Sequence, residues 1–309
     1  MTVHDRRTWL NRLAGFAGFA GLGAGWGAAP ALIASKSALA QTPRRSIRLG
    51  VIDLSFHHAT AAVVAALLQR LGHPVERTFA LHEACFEHLR QGEVDMVASA
   101  WLHSSHGVYR ARVEEVVSTT ALGLHYTPYA LWGVPDYVPA SAVASVPDLL
   151  RPEVRARMNP LIQGIGPGAG ITRFSIRMME AYGLTEAGYH FQTGTPDDCF
   201  NAFETAVARQ QWVVVPLWHP QFLHARHRIR DLQDPKQLLG GVDHAVLLAR
   251  DDRLKTLPAD TVRALERVRL SNAVVAQLDH AINREGLTAD QAAARWLADH
   301  RDFAPPGAS

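Results

Sequence analysis

The sequence predicts an α/β protein of two similar lobes, each a mostly parallel sheet flanked by helices, with the second lobe inserted into the first. Three observations lead there. Short apolar or alternating runs and helical stretches follow one another from Ser46 to Trp101, the pattern of a parallel sheet with helices on both faces. The same alternation restarts at Leu161 and runs to Ala249. Once a leader is set aside, about 270 residues remain, enough for two lobes.

The leader is residues 1–40. Arg6-Arg7-Thr8-Trp9-Leu10 is a twin-arginine pattern, and a weakly apolar, Gly- and Ala-rich stretch runs from Leu13 to Leu32. Ala38-Leu39-Ala40 offers small residues to a signal peptidase, so the mature chain is expected to begin at Gln41, in the periplasm. The glycine content argues against a membrane anchor, and no cysteine near the cut invites a lipid. The chain has 31 Lys and Arg against 29 Asp and Glu. The leader holds four of the basic residues and one acidic one, leaving 27 against 28. A near-neutral chain points away from nucleic acid.

Within the mature chain, Ser46–Asp53 alternates Ile47, Leu49 and Val51, a strand. Phe56-His57-His58 follows it, and Ala59–Leu71 is an apolar helix closed by Gly72. Val75–Phe79 is a strand, Leu81–Gln91 a helix, and Gly92–Val97 turns into a strand ending at Trp101. Glu115–Leu122 and Tyr129–Val134 are extended. In the second segment, Leu161–Ile165 is a strand, the loop Gly166–Gly170 a tight turn, and Ile171–Tyr182 a helix ended by Gly183. Tyr189–Gln192 is a strand, and Thr195-Pro196-Asp197-Asp198 supplies an N-cap, a first-turn proline and first-turn acids for the next helix. Trp212–Leu217 is a buried strand with Trp218 at its carboxyl end, and His244–Ala249 is one more. Helices are expected over Asp260–Val268, Ser271–Glu285 and Thr288–His300, the last with a Thr288/Gln291 capping box. Lobe 1 is then about 46–131 plus 246–309, and lobe 2 about 132–245.

Several chemistries find little support. The glycine loop has no P-loop lysine and no G-x-G-x-x-G register. His103 and His106 stand three apart, as metal ligands can, but no acidic residue or cysteine accompanies them at ligand spacing. There is no G-x-S-x-G elbow, and Cys85 and Cys199 sit on apolar stripes as buried thiols, not as a disulfide. No cofactor is expected. What remains is an aromatic set: Phe56, Trp101, Trp132, Trp218 and Phe222, with Tyr126 and Tyr129 as additions. Ligands bind at strand carboxyl ends in open α/β sheets. Rings gathered there form a cage for a cation that donates no hydrogen bonds, each face contributing on the order of 0.5–2 kcal/mol. The alternative for a lone tryptophan is core packing.

At this point the chain resembles the glycine betaine/choline family of substrate-binding proteins of ABC transporters, over about Ile47 to Trp296. The landmarks are Gln91–Asp95, Trp101-Leu102-His103-Ser104-Ser105-His106-Gly107-Val108-Tyr109, Val134–Val138, Gly164–Ile171, and Trp212–Gly241 with its Asp234-Pro235-Lys236 and Gly240-Gly241. The resemblance implies a hinged, type II-like periplasmic binding fold that closes on a quaternary ammonium ligand and delivers it to a membrane permease. No catalysis is expected, and a monomer is the default. The cage residues carried over are Trp101, Trp218, Phe56, Phe222 and Trp132. His57, His58 or His219 stand by as donors, as do the helix amides around His57–Thr60, ready for a carboxylate. The chain departs from the family pattern at Phe56 and His58, where tryptophan and an acid are common. It departs also at His103, in place of proline, and at Gln221 and Phe222, in place of histidine and tryptophan. The ligand is therefore left open among glycine betaine, choline, carnitine and similar compounds. A ligand sensor of the same fold and a metal-dependent periplasmic enzyme are the alternatives.

Overall fold

The computed structural model describes residues 45–300 and Phe303; the arginine pair and the cleavage site after Ala40 lie outside the described residues. The first alternation is present as β1 (Ile47–Ile52), α1 (Ser55–Arg70), β2 (Val75–Ala80), α2 (His82–Gln91) and β3 (Met96–Leu102). After α3 (Gly107–Glu114) and β4 (Thr119–Tyr126) the chain passes into β5 (Tyr129–Pro135), α4 (Pro152–Arg155), β6 (Leu161–Gln163) and α5 (Gly170–Ala181). Then come β7 (His190–Gln192), α6 (Pro196–Ala208), β8 (Val215–His219), α7 (Leu223–Arg226) and β9 (Ile229–Asp231). The chain closes with β10 (His244–Arg250), α8 (Asp251–Leu254), α9 (Ala259–Glu266), α10 (Asn272–Glu285) and α11 (Ala289–Asp299).

One sheet has the order β2-β1-β3-β10-β4. β1 runs parallel to β2 and β3, whereas β10 is antiparallel to both its neighbours. The strand that returns late in the chain is thus inserted between two early ones. A second sheet, β8-β5-β9, is antiparallel, and β6 and β7 form a parallel pair. The apolar run from Trp212 does not form one continuous strand. Trp212 makes a single parallel bridge to Met158, and the ladder begins at Val215.

Helix α1 is apolar nearly all round, as a helix covered on two sides must be. Ala61, Val64, Ala65 and Leu68 meet Leu49, Val51 and Met96 of the sheet. Ala59, Ala62 and Val63 meet Leu278, Ala281, Ala292 and Trp296 of α10 and α11. The capping boxes at Thr195/Asp198 and Thr288/Gln291 are both formed. Cys85 and Cys199 are free, buried thiols pushed up to about 12 by burial.

The start of α1 differs from the sequence reading. It begins at Ser55, not Ala59, and the His58 amide already bonds to Leu54 O at 2.9 Å. The amides left without a helical partner are therefore those of Ser55, Phe56 and His57, instead of a set reaching to Thr60.

Candidate functional site

The first wall of the site is built by an irregularity in β3. Its pairing with β10 shifts between Val246 and Leu248, so two residues, Ala98 and Ser99, stand opposite one. Bulges of this kind re-aim the side chains that follow. Ser99 takes φ 57°, a conformation costly outside glycine, and is fully buried. Its hydroxyl is hydrogen-bonded to His57 Nδ1 at 2.9 Å and to the Tyr126 hydroxyl. Tyr126 accepts in turn from Trp101 Nε1 at 2.9 Å. The Trp101 indole is thereby pinned from behind.

The opposite wall comes from β5 and β8. Ala130 is paired across the ladder with Trp218, and its small side chain leaves space over the indole. Phe56, in the first turn of α1, stands between the two tryptophans: its ring centroid lies 5.5 Å from Trp101 and 5.8 Å from Trp218. The three rings line one cavity together with His57, His82, Ser105 and His106. No carboxylate side chain lines it.

Two long helices begin at this cavity. Leu54, the N-cap of α1, and Ala169, the N-cap of α5, both line it, and neither helix has a side-chain cap. Their first-turn amides and positive dipole ends favour negative charge. The glycine loop is explained here. A Cβ on Gly170 would lie 2.8 Å from Ser105 Oγ and 3.1 Å from its Cα, so only glycine lets α5 approach the segment after Trp101.

Of the residues picked from the sequence, Phe56, His57, Trp101 and Trp218 are brought together. The others are not. Trp132 is fully buried one pleat deeper in β5 than Ala130, with its Nε1 donating to Ser175 Oγ at 2.8 Å. Phe222 packs edge-on against Phe200 at 5.0 Å, and Phe200 lies 6.0 Å from Trp218, so Phe222 stands behind the wall. His58 bonds to Asp53 at 3.0 Å and lines a neighbouring cavity on the other side of Phe56 and Trp218. His219 stacks between Tyr129 and His224, away from the cavity. Tyr126 supports Trp101 from behind, and Tyr129 supports His219. His103 and His106 bond to different partners, His244 and His82. Among the described residues no group of three or more His, Cys, Asp or Glu side chains could hold a metal.

The sequence reading missed His82, His106 and Ser105. Burial holds His57 and His106 well below the usual histidine range, and His106 and His82 lower His57 further. Burial, with the nearby Arg173 guanidinium, lowers His82 to about 4. All three rings are neutral at pH 7. The histidines on the wall of the cavity thus add no positive charge to it.

The fold and this site define a two-lobed binding protein that encloses a small ligand. Residues 45–299 match the model of the substrate-binding domain of the ABC-type glycine betaine transport system, and the chain belongs to that family. It is a substrate-binding protein, not an enzyme. Similar folds include lactococcal OpuAC in its closed, glycine betaine-bound form, with TM-score 0.74 and 21% identity over 84% of this chain and 97% of that one. The glycine betaine/L-proline-binding protein of Borrelia burgdorferi gives 0.75 and 20% over 85% and 98%. A choline-binding protein of an ABC transporter, in complex with choline, gives 0.73 and 17% over 83% and 89%. In sequence, the glycine betaine/carnitine transport binding protein GbuC of Listeria monocytogenes is 21% identical over 146 residues, 47% of this chain; the match spans about half of that protein, 48%. No helix among the described residues is long and apolar enough to cross a membrane.

Proposed function

We infer that the protein captures a quaternary ammonium compound carrying a carboxylate, of the glycine betaine or carnitine kind, and hands it to the permease of an ABC importer. The observation that carries this is a cavity walled by three aromatic rings and by no carboxylate. A primary ammonium would find no acceptors for its N–H groups there, at a cost of about 1–3 kcal/mol for each one left unpaired. A trimethylammonium group has no such donors and gains on the order of 0.5–2 kcal/mol from each ring. The two uncapped helix starts supply amides for the carboxylate, which choline lacks.

The protein is exported by the twin-arginine route, cut after Ala40 and works as a periplasmic monomer. Its lobes are residues 46–131 with 246–309, and 132–245. Sheet membership supports a hinge at the two crossings, one between β4 and β5 and the other between β9 and β10. A thermal-shift screen across betaines, choline, carnitine and ordinary amino acids tests the ligand class. A ligand at a hundred times its Kd adds about 2.7 kcal/mol. For a chain of this length that raises Tm by roughly 5–11 °C. A rise with primary-amine amino acids alone would contradict the proposal.

A further inference from the structure

The backbone amide of Trp101 donates to His106 Nδ1 at 2.9 Å. An amide nitrogen can only donate, so Nδ1 is an acceptor and the neutral ring carries its proton on Nε2. That Nε2 stands 3.0 Å from His82 Nδ1 and must be the donor there. His82 Nδ1 is then an acceptor, and its proton also sits on Nε2. The geometry thus fixes one tautomer through two rings. It starts from a backbone group that the β3 strand holds rigidly, next to one of the cage tryptophans.

His82 Nε2–H has no hydrogen-bond partner among the described residues. The ring lines the aromatic cavity and also the wider cleft of ≈ 610 Å³ beside it, into which Leu54 and Ile165 continue from the cavity wall. His82 therefore stands where the cage and this cleft adjoin, within reach of the arm of a ligand anchored by its ammonium. The cleft also carries the carboxylates of Asp53, Glu83 and Glu87, each already bonded to a side chain outside the cage: His58, Arg112 and Arg90. Arg173 donates to Gly168 O at 2.7 Å, to Tyr109 Oη at 2.9 Å and to Ser105 O, and its field reaches both imidazoles.

We propose that His82 is the specificity-determining residue for the ligand's arm, its Nε2–H donating to a carboxylate oxygen at the mouth of the cage, with the relay from the Trp101 amide through His106 holding that proton in place. This rests on the quaternary-ammonium reading of the cage and adds to it the side chain that selects a zwitterion over a plain cation. Burial keeps both imidazoles neutral, with Arg173 adding to it from the same side, so each stays a single-proton donor instead of taking a second proton.

The test is calorimetry of wild type, His82→Phe and His106→Asn with two probes, glycine betaine and tetramethylammonium. Nitrogen-15 NMR of the histidine rings accompanies it. His82→Phe keeps an aromatic ring and removes the donor. It should lower the ratio of glycine betaine to tetramethylammonium affinity at least tenfold. His106→Asn keeps an acceptor for the Trp101 amide and loses the donor to His82, so the proton on His82 is no longer fixed and the ratio should fall about threefold or more. In wild type both rings should show the Nε2–H tautomer, and the His82 Nε2 signal should move on adding glycine betaine but not tetramethylammonium. An unchanged ratio in His82→Phe, or an Nδ1–H tautomer on His82, overturns the assignment and leaves the cage intact. Failure of both probes to bind wild type overturns the cage reading itself, and this assignment with it.

Discussion

Replacing each cage tryptophan by phenylalanine makes the same chemical change in two different hydrogen-bonding situations. Trp218 is 3% exposed and its buried Nε1 has no partner among the described residues, whereas Trp101 Nε1 donates to the Tyr126 hydroxyl at 2.9 Å. In either variant the lost ring edge removes roughly two to three buried carbon groups, about 2 kcal/mol. At Trp218 the change also removes an unpaired buried donor worth about 1–3 kcal/mol, so the net effect on unliganded stability is within about 1 kcal/mol of zero. At Trp101 it breaks a bond and strips Tyr126 of a donor, adding about 1 kcal/mol for a total near 3. The two apo melting temperatures should therefore differ by roughly 6–12 °C. Calorimetry should show both variants weaker for the same betaine by about two- to fivefold, since a phenyl face replaces an indole face in each. Equal losses of melting temperature would refute the hydrogen-bond argument. Unaltered affinity in both would refute the cage.

Two further outcomes follow from the same geometry, and a third from the leader sequence. Gly170→Ala puts a Cβ 2.8 Å from Ser105 Oγ and should weaken ligand affinity by about 1–3 kcal/mol, while Gly166→Ala, with nothing within 4 Å, should not; equal titration curves for the two would contradict the close approach. Acidification should destabilise the unliganded protein. His57, His82 and His106 are depressed, His82 to about 4, so they contribute stability that is full above the unfolded value of ~6.5 and is lost as pH falls below it, by up to about 1.4 kcal/mol per pH unit for each histidine. Asp279, pushed up to about 6 by burial, works in the opposite sense: its contribution is full below the unfolded carboxyl value and is lost as pH rises through 6. One carboxyl is outweighed by three imidazoles, so urea midpoints should drop between pH 6.5 and 4.5; midpoints that rise would show the rings to be charged. Finally, lysine at both Arg6 and Arg7 should trap precursor in the cytoplasm, and normal periplasmic accumulation of that variant would remove the export route.

The parts legible in the sequence were those with a local cause. Strand–helix alternation, the Thr195 and Thr288 caps and the buried cysteines each depend on residues a few positions apart. The start of α1 was hidden because Leu54 caps nothing with its side chain and Phe56-His57-His58 has no strong helix preference; only the packing around Phe56 makes that turn helical. Trp132 misled for a geometric reason. It lies on the same face of β5 as Ala130, two residues along, and that single pleat carries it from the cavity into the core. Phe222 misled because an aromatic just past a strand end can back a wall as easily as face the ligand. The pairing of His82 with His106 spans 24 residues and two elements, so no spacing rule reaches it. The i, i+3 spacing of His103 and His106 allowed a metal without supporting one, and the two rings bond to different partners.

The most direct test of the central claim is calorimetric titration of the mature protein with glycine and its mono-, di- and trimethylated forms. The carboxylate is constant along that series, and only the donors on the nitrogen change. An aromatic cage without carboxylates predicts that affinity rises with each methyl group and is at least a hundredfold tighter for the trimethylated form than for glycine. Equal affinity along the series, or tightest binding to glycine itself, would contradict it.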